Sequence, residues 1–298
     1  MIHPIGFSVP EEKIMDTYPN KEKILAHIIP GKLDTYIFTN EVDYYNDYKK
    51  SLFAITCKKS GWDCMRHYEI LANGCIPLFK DIDICPENIM TFLPKNLLKE
   101  AIILYHKIGE TKFNDLDQPF LIDCEELTKK LLNHTREQLT TKQMANYILN
   151  ITNNNFVKKI LYLSGDTSPD YLRCVTLHGF KTIFGNNCHD YPKVPHIYKS
   201  NEINYSSLYG KGITYSKLLE QDIHNNELDN TIIDDIKNKY YDIIIYGSYH
   251  RGIPFYEEIK NIYEPNKIIF LCGEDTHRCN WNNFVKLGHH VFVRELEL

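Results

Sequence analysis

The amino-acid sequence predicts an α/β protein built from two Rossmann-like units that face a cleft. Three observations lead to this prediction. Short apolar runs alternate with amphipathic segments from residue 35 to about residue 106, a group of helical segments follows, and a second alternation begins at Val157. Alternation of this kind is typical of βαβ units and therefore of parallel sheets. The 298 residues are enough for two such domains.

The first alternation predicts three strands and two helices. The short apolar runs Thr35–Phe38, Leu52–Cys57 and Ile76–Phe79 are typical of buried strands. The segments Val42–Lys50 and Trp62–Asn73 between them carry apolar residues at helical spacing. This order places the carboxyl ends of the strands at one edge of a parallel sheet, where ligands bind in proteins of this class.

The middle of the chain is expected to be helical and to end at a domain boundary. Apolar residues recur at helical spacing in Lys95–Lys107, Cys124–Asn133 and Thr141–Ile151. The polar run Asn153–Asn155 follows and favours a linker. We therefore expect a first domain over residues 1–152 and a second over residues 153–298.

The second alternation starts with a strand at Ile160–Leu163. A helix should follow, with Ser168 as its N-cap and Pro169 at its first position, and Gly179 suits the left-handed residue just beyond its end. A strand at Thr182–Phe184 comes next. Further β-like runs are Asp242–Tyr246, Lys267–Leu271 and His290–Val293.

Charge and composition exclude several classes of protein. The net charge of −5 argues against a duplex nucleic-acid partner, because such proteins usually carry a basic excess. Neither a signal-peptide pattern nor the roughly 18 consecutive apolar residues of a membrane span occurs in the sequence. The nine cysteines are therefore expected to be reduced thiols, and the location to be cytoplasmic.

The segment from Lys58 to Gly74 has the composition of a phosphate site. Gly61 follows the second strand and allows the backbone to approach a ligand closely, while the helix after it directs free N–H groups at the same place. Lys58 and Lys59 add positive charges, and Arg66 offers a bidentate guanidinium about one turn into the helix. Together these features predict a diphosphate at the start of the helix.

Glu69 lies three residues beyond Arg66, and Asn73 continues the same helix face. A carboxylate about 4.5 Å further along the axis does not suit phosphate but can accept hydrogen bonds from the two hydroxyls of a ribose. A nucleoside diphosphate fits this order of groups. The alternative is purely structural: Arg66 and Glu69 could form a surface ion pair, and Gly61 and Gly74 could be ordinary caps.

About 35 residues, from Ser51 to Pro86, resemble the donor-binding region of exostosin-type glycosyltransferases. The resemblance lies in Gly61-Trp62-Asp63, Arg66-His67-Tyr68-Glu69-Ile70, Asn73-Gly74-Cys75-Ile76-Pro77 and Cys85-Pro86. It implies a GT-B fold, a nucleotide-sugar donor held by the matching Arg66 and Glu69, and transfer to a glycan or other hydroxyl acceptor. In most GT-B enzymes the donor domain is the second one, so either the order of the two domains is permuted here or the second unit is something else.

Polar residues follow the strands of the second unit as well. An inverting transferase needs a general base, and His250, Asp166 and Asp275 are the candidates because each lies in a Gly-containing loop after a buried strand. Arg251 could neutralise the leaving diphosphate. The structural alternatives are that Asp166 caps the next helix, that Asp275 starts a turn and that His250 is a satisfied loop histidine.

Metal and cofactor chemistry are not indicated by the sequence. Asp81 and Asp83 resemble the paired aspartates that hold a metal in a different glycosyltransferase fold, but the GT-B scheme needs no metal, so we interpret them as loop residues and expect no metal site. GxGxxG and GxxxxGK[ST] motifs are lacking, which disfavours NAD enzymes and P-loop kinases. The alternative to a transferase is a protein that binds or modifies nucleotide-sugars without transferring them.

Overall fold

The computed structural model describes residues 1–275 and 280–297 and is an α/β structure with two parallel sheets. The strands are β1 Ile2–Pro4, β2 Lys23–Leu25, β3 Ser51–Thr56, β4 Ile76–Phe79, β5 Ile160–Leu163, β6 Cys188–Tyr191, β7 Ile243–Tyr246, β8 Ile268–Cys272 and β9 His290–Val293. The helices are α1 Glu41–Lys49, α2 Met65–Ala72, α3 Lys95–His106, α4 Gln118–Gln138, α5 Thr141–Ile151, α6 Tyr171–Phe184, α7 Asn226–Lys237, α8 Tyr256–Ile262 and α9 Trp281–Lys286.

The smaller sheet has the order β2-β3-β4, and the larger has the order β1-β9-β8-β7-β5-β6, with every pair parallel. The larger sheet reverses its winding between β5 and β7, because the chain runs from β5 outward to β6 and then returns to the other side of β5. Loops that leave such a switch point diverge and open a crevice beyond the carboxyl ends of the strands.

The first strand belongs to the larger sheet, although the rest of that sheet follows residue 159. Ile2–Pro4 pairs in parallel with Val291–Val293. The predicted division at residues 152 and 153 falls between α5 and β5. β1 therefore comes from the predicted first domain but belongs to the sheet of the predicted second domain. Both sheets also share one hydrophobic core, in which Phe53 and Leu71 from the first part of the chain join Ile160 and Leu271 from the second.

Two predicted strands are wrong. Residues 33–35 form a short 3-10 helix and Tyr36–Phe38 is irregular, because β2 pairs with the edge of β3 that a strand at Thr35–Phe38 would need. Thr182–Phe184 is the last turn of α6, where helical packing overrides the β-propensity of Thr182 and Ile183.

The predicted ends of α6 are also wrong. Its N-cap is Asp170, whose side chain accepts a hydrogen bond from the Arg173 N–H at 3.0 Å, rather than Ser168. Gly179 lies inside the helix with an ordinary backbone, and the residue with a positive φ at the end is Gly185. Gly179 is required because α5 packs closely here, and a Cβ would lie 2.0 Å from the carbonyl oxygen of Thr141.

Seven cysteines among the described residues are free thiols, whereas Cys272 at the end of β8 is disulfide-bonded, so the expectation of reduced thiols is wrong for Cys272. No helix within residues 1–275 and 280–297 combines the length and the apolar character needed to cross a bilayer.

Gly179→Ala should destabilise the fold by about 1–3 kcal/mol, since the added methyl group has no room beside α5 and the helices must shift. Urea unfolding followed by circular dichroism measures the change. The control is Thr182→Ala in the same helix, which adds no atoms and removes one hydrogen bond to the His178 carbonyl. If the two variants unfolded at the same urea concentration, the close approach of α5 and α6 would be contradicted.

Candidate functional site

A cleft of about 680 Å³ lies between α2 and the switch point of the larger sheet. One wall comes from the first part of the chain and includes Tyr36, Arg66 and Glu69. The opposite wall comes from the loops after β5, β7 and β8 and includes Asp170 and His250. A third segment, residues 209–213, contributes Tyr209, Gly210, Lys211 and Ile213. The cleft is therefore placed where a doubly wound sheet usually binds ligands.

The structure brings together five of the residues predicted for the site. The residues that line the cleft are Arg66, Glu69, His250, Arg251 and Asp275. The other predicted site residues are outside its lining, namely Lys58, Lys59, Gly61, Asn73, Gly74 and Asp166. His277 and Arg278, which follow Asp275 in the sequence, lie outside the described residues.

The loop at Gly61 does bind an anion, but the anion is a side chain of the protein itself. The Trp62 and Asp63 N–H groups donate to the two carboxylate oxygens of Glu295 at 3.0 and 2.9 Å. A Cβ at Gly61 would lie 2.5 Å from that carboxylate, so only glycine permits this approach. Lys58 and Lys59 are exposed. The predicted phosphate cradle is therefore filled by Glu295.

Asn73 and Gly74 end α2 rather than contact a ligand. The Asn73 amide donates to the Glu69 carbonyl at 2.8 Å, and Gly74 has a φ of +61° and packs against Pro19. For these two residues the structural interpretation of the motif is the one that the geometry supports.

Arg294 and Glu295 connect the two walls of the cleft. The Arg294 side chain is fully buried and donates to the carbonyl oxygens of Asp63 and Gly273 and to the carboxylates of Asp275 and Glu295. Its guanidinium carbon lies 4.6 Å from the centre of the Phe7 ring. This side chain therefore binds the loop before α2 to the loop after β8.

Arg66 is the one residue of α2 that is not fully buried. Its Nη2 donates to the Tyr36 hydroxyl at 3.2 Å, and its Nη1 is buried without a hydrogen-bond partner in the described part of the chain. The surface ion pair with Glu69, which was the structural alternative for this motif, does not form, because Glu69 is buried and bonded elsewhere. Arg66 thus forms no ion pair with a described carboxylate, although its positive charge acts to lower the pKa of Glu69.

Glu69 accepts hydrogen bonds from the Tyr44 hydroxyl at 2.5 Å and from the Thr214 hydroxyl. Burial raises the pKa of Glu69 above its ordinary value, while the two hydroxyls and Arg66 act in the opposite direction. Thr214 has a φ of +73°, which is rare for a β-branched residue, and Lys211 close to it has a φ of +56°. Contacts with the first part of the chain hold this segment in its strained backbone conformation: the Thr214 hydroxyl donates to Glu69, and Lys211 Nζ donates to the Phe38 carbonyl.

His250 belongs to a polar group that sequence reasoning found only in part. Its Nε2 lies 2.9 Å from the Glu274 carboxylate and 3.7 Å from that of Asp170, and its Nδ1 is buried with no partner among the residues described. Burial lowers the pKa of His250, with Asp170 and Glu274 opposing the shift. At neutral pH the ring is therefore uncharged.

Asp170 and Arg251 complete this group. The Asp170 carboxylate accepts from the Ser248 hydroxyl at 2.5 Å and from Arg251 Nε at 3.0 Å. Burial would raise its pKa, but the hydrogen bonds from the Arg173 N–H and the Ser248 hydroxyl hold the pKa below the usual range. Sequence reasoning missed Asp170 because the preceding Ser168-Pro169 pair provided a stronger helix-start signal.

Asp166 lies beside the cleft with a structural role. Its carbonyl oxygen and carboxylate both accept hydrogen bonds from the buried Arg173, and its carboxylate also accepts from the Ser168 N–H at 2.9 Å. These bonds shape the loop after β5. Within the described ranges, no group of three or more His, Cys, Asp or Glu side chains is arranged to hold a metal ion.

Glu295→Gln should lower the free energy of unfolding by about 1.5–3 kcal/mol. The carboxylate accepts hydrogen bonds from two backbone N–H groups, and an amide would place its own N–H₂ group against one of them, so that bond would be lost. Chemical denaturation measures the loss. Glu110→Gln, the same exchange at an exposed position, should leave stability nearly unchanged. Equal stability of the two variants would contradict the role of Glu295 as the acceptor of the loop before α2.

Comparison with known proteins supplies no relative for this arrangement. No protein-family model matches the chain, and neither a curated protein nor a solved structure is detectably similar to it.

Proposed function

We propose that the chain is a glycosyltransferase that binds a nucleoside diphosphate sugar in the cleft and transfers the sugar to a hydroxyl acceptor. One observation carries the proposal. Among the described residues that line the cleft, three side chains have a buried polar atom without a hydrogen-bond partner: Arg66 Nη1, His250 Nδ1 and Asp63 Oδ1. Buried polar groups in folded proteins are normally paired, so these atoms favour a polar ligand that completes them.

The diphosphate is assigned to Arg66 and Lys211. Arg66 bonds a tyrosine hydroxyl, and Lys211 Nζ donates to the Phe38 carbonyl at 2.6 Å; neither has a carboxylate partner within the described residues. Two cations that line one cleft and form no ion pair with a described carboxylate suit an anion with two phosphates. Because Glu295 occupies the backbone cradle at Gly61, the phosphates bind to side chains further along α2.

The nucleoside is assigned to the Glu69 side of the cleft. Tyr36, Phe38 and Tyr44 line that side and offer aromatic surface to a base. Two hydroxyls already donate to Glu69, but a carboxylate accepts up to about four hydrogen bonds, so capacity remains for ribose hydroxyls. This keeps the order of phosphate and ribose along α2 that the resemblance to exostosin-type enzymes implies.

His250 is assigned as the general base. The carboxylate of Glu274 holds the proton on Nε2 and leaves the lone pair on Nδ1, which suits removal of a proton from an acceptor hydroxyl. Two parallel α/β sheets that meet at a cleft are compatible with a GT-B enzyme, whose diphosphate leaves without a metal. In this chain the donor-like segment would precede the other unit.

Arg66→Ala should weaken binding of a nucleoside diphosphate roughly tenfold to hundredfold, since a lost charge-assisted bond is worth about 1.5–3 kcal/mol, and should change binding of the nucleoside little. Isothermal titration with UDP, GDP and the matching nucleosides measures both. Lys58→Ala is the control, because it removes the same charge from an exposed position outside the cleft. Equal affinities of wild type and Arg66→Ala would refute the phosphate assignment.

The transfer rate should depend on pH through His250. Because burial lowers its pKa, the imidazole is neutral and active as a base above about pH 6.5, and the rate should fall as the pH drops through the lowered pKa. His250→Gln should reduce the rate roughly 10²–10⁴-fold and remove this acidic limb. The profile is measured on the donor that binds best, in EDTA, with the exposed His106→Gln as control. An unchanged acidic limb in His250→Gln would exclude His250 as the base.

A further inference from the structure

Asp63 is a buried carboxylate at the cleft whose two oxygens have different surroundings. Its side chain is 3% exposed and belongs to the lining of the cleft. The Oδ2 atom accepts from the Phe7 N–H at 2.8 Å, and the Tyr68 hydroxyl interacts electrostatically with the same carboxylate. The Oδ1 atom is buried and has no hydrogen-bond partner in the described part of the chain.

The hydrogen bond from the Phe7 N–H accounts for the burial of Oδ2 but not for the burial of Oδ1. An asparagine could accept from the Phe7 N–H equally well and would avoid a buried charge, which is unfavourable unless it is paired. Burial raises the pKa of Asp63 to about 6, while Arg294 and the Phe7 N–H act against this rise. Carboxyl groups with strongly shifted pKa values in a cleft are frequent in functional sites.

The position of Asp63 along the cleft indicates what its free oxygen would meet. Asp63 precedes the N-cap of α2, Arg66 is the second residue of the helix, and Glu69 lies one turn further on. A diphosphate at Arg66 with its nucleoside toward Glu69 therefore extends its other end toward Asp63. That end of the cleft is also where Gly273 and Asp275 approach, through the contacts of Arg294.

We propose that Asp63 is a sugar-binding residue, whose Oδ1 accepts a hydrogen bond from a hydroxyl of the sugar that the diphosphate carries. This inference rests on the proposed function, because the direction of the ligand follows from the assignment of Arg66 to the phosphates. It assigns a residue to the transferred sugar, for which neither the resemblance nor the general-base assignment names a contact.

The test compares Asp63→Asn with wild type on matched ligand pairs, UDP with UDP-glucose and GDP with GDP-mannose, by isothermal titration. Asparagine keeps an oxygen for the Phe7 N–H and puts an N–H₂ group where the free oxygen was, so it reverses the polarity offered to a sugar hydroxyl. For the ligand pair that wild type binds, we expect Asp63→Asn to bind the sugar nucleotide tenfold to hundredfold more weakly than wild type does. The corresponding diphosphate should stay within threefold.

Tyr68→Phe is the matched control, since it removes a hydroxyl from the same carboxylate but Tyr68 does not line the cleft. It should leave both affinities within threefold. If Asp63→Asn does not fold, as judged by circular dichroism, Asp63→Glu takes its place, because it keeps the charge and displaces the oxygens by one methylene.

Three outcomes would overturn the inference. If Asp63→Asn weakened binding of the diphosphate and of the sugar nucleotide equally, the effect of Asp63 would be structural and not specific to the sugar. If the affinity for the sugar nucleotide were unchanged, Asp63 would not contact the sugar. In both cases the proposed function survives if Arg66→Ala still weakens the diphosphate. Failure of wild type to bind any member of either pair would instead overturn the proposed function and this inference together.

Discussion

The burial of Arg294 and Glu295 is the constraint on which the geometry of the cleft depends. Removing two charges from water is unfavourable unless nearly every donor and acceptor is paired. Here Arg294 bonds Asp63, Gly273, Asp275 and Glu295, while Glu295 also accepts from the Trp62 and Asp63 N–H groups. The partners come from both walls of the cleft, so the pair is satisfied only when the two walls are correctly placed. The width of the cleft is thus set by a polar interaction as well as by the shared core.

Much of the fold could be predicted from the sequence where burial produces a simple pattern. β5, β7 and β8 are covered on both faces and consist almost wholly of apolar residues, and the regular apolar spacing of α5 gave its bounds directly. β6 escaped detection because it contains His189 and Asp190. Asp190 is buried in the strand and is paired with Lys181, Tyr198 and His224. Burial opposes its ionisation, but His224 and Lys181 hold its pKa well below the ordinary value. No local signal distinguishes such a strand from a loop.

The site could be predicted only to the extent that its chemistry is local. Arg66 and Glu69 were recognised from their spacing, and both line the cleft. The glycine loop was predicted to hold a diphosphate, but the anion that its N–H groups bind is Glu295 from the far end of the chain, a partner that no short window reveals. Similarly, Asp63 looks like an ordinary loop residue in the sequence. Its significance depends on burial and on an unpaired oxygen, which only the folded arrangement supplies.

The pairing of β1 with β9 has a consequence for synthesis on the ribosome. Domains usually fold as they emerge, from the N-terminus onward, but Ile2–Pro4 has its partner strand at residues 291–293. The N–H groups of the loop before α2 likewise have no acceptor until Glu295 has been synthesised. We therefore expect the first part of the chain to leave the ribosome with one strand unpaired and an empty backbone cradle. Both would be completed after residue 295 has cleared the exit tunnel, so a nascent chain would acquire its cleft in one late step.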